Sequence, residues 1–121
     1  MNDAEREPKV LLAEMRQHLA LVATRALYDE QPELWRLGER GRAHTLEDFG
    51  HHFAALAALD EESFRQHVEF CVRLFHQRGF PQRWLTDGWR HMALVLRAEL
   101  PPKAAAVAVG VLEHGLAAAG R

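Results

Sequence analysis

Three histidines and an aspartate fall within the stretch GRAHTLEDFGHHF, Gly41 to Phe53. Imidazole beside carboxylate is the chemistry of metal ligation, proton transfer and the binding of N–H donors. Helical spacing sorts these side chains. Leu46, Phe49, Phe53 and Leu56 recur in steps of three and four and define one apolar stripe. Thr45, Asp48 and His52 then share one flank of that stripe, at i, i+3 and i+7, while His51 points away toward water. Three ligands therefore do not converge on a metal from this helix alone. Asp48 has two readings. One is an exposed carboxylate early in a helix, where negative charge is favoured. The other is an acceptor facing a ligand, whose charge-assisted bonds offset its desolvation only when ligand is bound. His52 likewise reads either as a surface-edge histidine paired to Asp48 or as a ligand contact.

Further along, Phe64, His67/Val68, Cys71 and Phe75 form a second stripe. Cys71 on that face reads as a buried, inert thiol, with attachment of a ligand as the lesser alternative, and His67 reads as a satisfied core histidine. Phe49, Phe75, Trp84 and Trp89 would wall a flat conjugated ligand, and serve equally as core or helix-junction residues. No glycine-rich phosphate loop or nucleophile elbow is present, and the Asp-Phe-Gly triplet at Asp48 is chance in so short a helical chain. The expected function is non-catalytic.

Five helices must position these residues. The first is predicted from about Pro8 to Asp29, with Leu12, Met15, Leu19, Val22 and Ala26 on one face and Pro8 in the first turn. Pro32 interrupts the chain, and PELWRLGERGR reads as a short helical turn followed by a loop at Gly38 and Gly41. The second long helix is predicted over 43–59. Asp60 is the expected N-cap of a third, 61–78, with Gly79 as its C-terminal cap and Pro81 beyond. A fourth follows over 82–100, with Leu85, Trp89, Met92 and Leu96 inward. Pro101 and Pro102 end it, and the Ala-rich tail forms a fifth. No window alternates like a strand, so the fold class is all-α.

Composition narrows the partners. The 121 residues suit one domain, 1–121, and are 48% hydrophobic and 26% charged. A net charge of −2 supplies no basic field for nucleic acid. The single cysteine leaves no internal disulfide and no cysteine-based zinc site, and fits a cytoplasmic location. The charged N-terminus MNDAEREPK is unlike a signal peptide, and no apolar run approaches membrane-spanning length. Val10, Leu11 and Leu21 lie beside the main stripe of the first helix, an excess that predicts a homodimer through that helix.

Two segments resemble the phycobiliproteins. HTLEDFGHHFAAL is similar to their helix written Cys-Leu-Arg-Asp, two residues, an aromatic pair and a leucine. FHQRGFPQRWLTDGWRHM is similar to their later Gly-apolar-Pro turn into the next helix. The wider resemblance is to globin-like proteins outside photosynthesis: bilin-associated globins, and the helical modules that precede cobalamin-binding domains in bacterial sensors. Those modules carry a stretch like Gly38 to Arg42. The resemblance covers roughly residues 34–102 and implies a globin-like fold.

Carried across by position, it implies a linear tetrapyrrole, a bilin of the biliverdin or phycocyanobilin type. The family's chromophore cysteine falls on Thr45, so binding here is expected to be noncovalent. The aspartate that accepts from the pyrrole nitrogens falls on Asp48. The family's arginine before it is Glu47, which removes a partner for a propionate. Globin-coupled sensors write a similar turn after a haem-binding helix, but their proximal histidine falls on Phe75. His76 is rotated from it by about 100°, which leaves haem, through His76 or His52, as the lesser cofactor. The implied site is Asp48, Thr45, His52, Phe49, Phe75, Trp84 and Trp89. The alternative is a ligand-free regulatory or dimerisation module.

Overall fold

The computed structural model describes residues 7–119, so the N-terminal expectation for residues 1–6 lies outside the described residues. Five α-helices follow one another: α1 (Pro8–Glu30), α2 (Gly38–Leu56), α3 (Glu61–Arg78), α4 (Gln82–Glu99) and α5 (Pro102–Ala119). A 3-10 segment, Pro32–Leu37, joins α1 to α2, and no strand occurs among the described residues. The chain is all-α, and no helix is long and apolar enough to cross a membrane among those residues.

Local chemistry sets most boundaries. Asp60 caps α3, its side chain accepting from the Ser63 N–H at 2.8 Å. Gly79 closes the same helix in the left-handed region, φ 71°, where its N–H reaches back to the carbonyls of Phe75 and His76. Helix α2 departs from expectation. It begins at Gly38 rather than Ala43, and it ends at Leu56 rather than Leu59. Gly41 is not a loop residue. A Cβ there would fall 2.4 Å from the Leu37 Cβ, so the missing side chain lets the 3-10 segment press against the first turn of α2. At the other end the chain turns out of the helix through Leu59, which takes a positive φ of 52°.

Helix α1 packs most extensively on α2 and α3 on α5, with α4 against both α1 and α5. Because α1 is covered by several neighbours, its buried face is broader than one stripe and rotated from the expected one. Leu12 and Leu19 of the expected stripe are buried, together with Leu11, Ala20, Ala23, Thr24, Leu27 and Tyr28, whereas Met15, Val22 and Ala26 are half-buried. Leu11 therefore belongs to the core and not to an outer patch, and Val10 is the exposed member of that group. Phe53 and Phe64 are fully buried at the centre. Truncating either to Ala would cost about 3–5 kcal/mol.

Candidate functional site

Four helices and the 3-10 segment open between them a pocket of about 580 Å³. Leu27 from the end of α1 and Gln31 just after it line the pocket, with Leu34 and Leu37 from the 3-10 segment. From α2 come Arg40, Gly41, His44, Thr45, Asp48, Phe49 and His52, three successive turns of one flank. Helix α3 adds Leu74, Phe75 and Arg78; the turn after it adds Phe80, and α4 adds Trp84, Leu85, Asp87 and Gly88. The wall is largely apolar, with Asp48, His44 and two arginines set into it.

The aromatic side of the pocket is continuous. Phe75 meets Phe80 edge-on with ring centroids 5.4 Å apart, and Phe80 meets Trp84 at 5.6 Å. Thr45 donates its hydroxyl to the Gly41 carbonyl at 3.1 Å and lies 3.3 Å from the Tyr28 hydroxyl. Asp48 is an exposed residue at the rim of the pocket, yet partial desolvation and the neighbouring charge of Glu47 raise its carboxyl above the ordinary value, against the pull of His51, His44 and Arg78. Arg40 and Arg78 make no ion pair with another described residue.

Asp48, Thr45, His52, Phe49, Phe75 and Trp84 thus share one pocket. Trp89 does not, and its assignment as a pocket wall is corrected. Five residues on an α-helix turn the side chain by about 140° from the starting direction, so the face of α4 that presents Trp84 carries Trp89 into the core. There it is buried, its ring centroid 6.0 Å from that of His52, and its indole N–H has no partner among the described residues. Arg40, His44, Arg78 and Phe80 were not singled out by sequence reasoning. Only Arg40 and His44 carried a usable signal, since they continue the Thr45–Asp48–His52 flank one turn earlier.

His52 is also corrected. It is buried and does not pair with Asp48; its Nδ1 lies 2.9 Å from Nε2 of His67 on α3. His67 Nε2 is in turn 3.6 Å from the Cys71 thiol. Burial, with the nearby charges of His67 and His51, pushes the His52 pKa down to about 3. Burial and the charge of His51 lower that of His67 as well. Burial and the negative charge of Asp48 push the Cys71 thiol up to about 11. Two neutral imidazoles and a protonated thiol therefore form one cluster across α2 and α3. His51, by contrast, faces solvent and lies 3.7 Å from Glu47. A second cavity of about 390 Å³ opens onto the cluster, sharing Asp48, His52, Leu74 and Phe75 with the first. His76 lines neither cavity.

Comparison with family models, with curated proteins and with solved structures found no match to this chain.

Proposed function

We propose that the chain is a non-catalytic, globin-like module that binds a linear tetrapyrrole of the biliverdin or phycocyanobilin type noncovalently. The observation that carries this reading is the meeting of Asp48 with Arg40 and Arg78 around one aromatic-walled pocket. A bilin offers pyrrole N–H donors at its centre and two propionates at its edge, and it needs flat apolar walls between them. One carboxylate can accept from several of those donors at once, and the bonds are strengthened where water is excluded. The two arginines supply cations for the propionates, a role Glu47 cannot fill. The pocket volume lies inside the range of about 300–1,000 Å³ usual for organic ligands of this class. Thr45 offers no thiol, and Cys71 is held protonated, so neither favours a thioether.

The test is a titration of the purified protein with biliverdin, with haemin run in parallel. The expected result is a saturable, red-shifted and structured bilin band, with the pigment extracted by acid and the protein mass unchanged. No spectral change with either pigment would overturn the reading and leave the ligand-free module. Self-association through α1 belongs to the same proposal, on the ground of exposed Val10 and half-buried Leu21, which lie about three turns apart on one side of that helix. Sedimentation at micromolar protein giving only monomer removes that part.

A further inference from the structure

His52, His67 and Cys71 come from two helices, and their ligand atoms all lie within 4.8 Å of one another. A lone helix could not achieve this, because His67 and Cys71 share a face of α3 while His52 reaches them from α2. In a tetrahedral zinc site, bonds of about 2.0–2.1 Å to nitrogen and 2.3 Å to sulfur place neighbouring ligand atoms about 3.3–3.7 Å apart. The observed edges are 2.9 Å from His52 to His67 and 3.6 Å from His67 to Cys71. Rotamer adjustments on the order of 1 Å would bring all three edges to metal-site values.

The donor chemistry agrees with the spacing. Without a metal, a single atom, Nε2 of His67, faces both the His52 ring and the thiol, and one nitrogen cannot serve both neighbours equally with one proton or one lone pair. A cation among the three would satisfy all of them together. All three residues line the 390 Å³ cavity, and Asp48 and His51 stand on its wall as well.

We propose that His52, His67 and Cys71 form a mononuclear zinc(II) site on the α2–α3 face, with its fourth position open to the adjoining cavity. Two imidazoles and one thiolate leave a net charge of +1 on the centre, and the nearby Asp48 carboxylate offsets it. Binding forms two N–Zn bonds and one S–Zn bond, and the Cys71 S–H proton passes to buffer. The mixed set needs only one cysteine, so the site stands although the sequence holds no cysteine pair. It does not rest on the tetrapyrrole reading.

Cobalt(II) added to chelator-treated protein is the probe, followed by displacement with zinc(II). One equivalent should produce visible bands of tetrahedral cobalt and a near-ultraviolet sulfur-to-cobalt charge-transfer band. Calorimetry in buffers of different ionisation enthalpy should show one proton released per zinc(II) at pH 7. Cys71→Ser should abolish the charge-transfer band. His67→Gln should weaken cobalt binding beyond the about 10–100-fold that loss of a mere supporting partner costs. His76→Gln, outside both cavities, should change neither. Circular dichroism checks folding, and His67→Gln decides the matter should Cys71→Ser fail to fold. A charge-transfer band that never appears overturns the proposal. So does cobalt binding that survives both Cys71→Ser and His67→Gln, because the remaining histidines would then hold the metal.

Discussion

His52 Nδ1 and His67 Nε2 stand 2.9 Å apart across the α2–α3 contact, with the thiol of Cys71 3.6 Å from that same nitrogen of His67. His52 is buried beneath Phe49 and Trp89, whose ring centroids lie 6.5 and 6.0 Å from its own. A proton added here has no carboxylate to balance it at hydrogen-bonding distance. The pair is therefore neutral at physiological pH, and it makes folding sensitive to acid.

That sensitivity has a definite sign. The folded chain holds His52 at about 3 against an ordinary 6.5, so the unfolded chain takes up the proton first. Stability is complete above pH about 6.5 and declines as pH falls toward about 3. Between pH 6.5 and 5, before most carboxylates titrate, His52 should contribute a loss of up to about 1.4 kcal/mol per pH unit. Urea midpoints measured with chelator present should fall through this window, and His52→Gln should flatten the slope while leaving the smaller contribution of His67. A parent protein equally stable at pH 7 and pH 5 would refute the burial of His52.

Two glycines of α5 should respond oppositely to the same substitution. A Cβ on Gly115 would lie 2.7 Å from Cδ2 of Phe64, a fully buried ring. Gly115→Ala should therefore lower stability by about 1–3 kcal/mol through overpacking. Gly110 has open space around its Cα. Gly110→Ala should raise stability by about 0.5–1 kcal/mol from helix propensity alone. Thermal or urea denaturation of the two variants reads the difference, and equal shifts would mean α5 does not approach α3 as closely as described.

The N-cap of α3 carries a smaller effect. Asp60→Ala removes the acceptor of the Ser63 N–H and should cost about 1 kcal/mol. Asp60→Asn keeps an acceptor and should retain most of that stability. Denaturant titration of both variants checks the cap, and an unchanged midpoint in Asp60→Ala would exclude it.

These cases also show what a sequence can disclose. Helix α3 was legible to both ends because its signals, Asp60 and Gly79, act on backbone groups three or four residues away. The Thr45–Asp48–His52 flank was legible for a similar reason, since helical period alone places the three together. Gly41 misled because the contact that needs its missing Cβ comes from Leu37 in the preceding segment. The His52–His67 pair, and the arrival of Arg78 and Phe80 opposite Asp48, depend on how α2, α3 and α4 are set against one another. No local spacing encodes that. Trp89 lies inward with Leu85, Met92 and Leu96 as its helical spacing predicts, and its position five residues from Trp84 is what keeps it off the pocket wall.

Asp48 gives the sharpest test of the ligand reading. Its carboxyl is exposed but partly desolvated, which raises its pKa, so unliganded protein gains nothing from the charge. Asp48→Asn keeps the shape and should leave folding unchanged or slightly improved. If the carboxylate accepts from pyrrole N–H groups, losing a charge-assisted bond costs roughly 1.5–3 kcal/mol, which weakens biliverdin binding on the order of ten- to a hundredfold. The absorption band should move as well, because the bilin's protonation is no longer held by an anion. Arg40→Gln and Arg78→Gln should weaken binding with little movement of the band, since propionates lie outside the conjugated system. His76→Gln, outside both cavities, should alter neither quantity. Biliverdin bound as tightly and with the same spectrum in Asp48→Asn would assign the flank to ordinary helix surface, and the resemblance around it to ancestry alone.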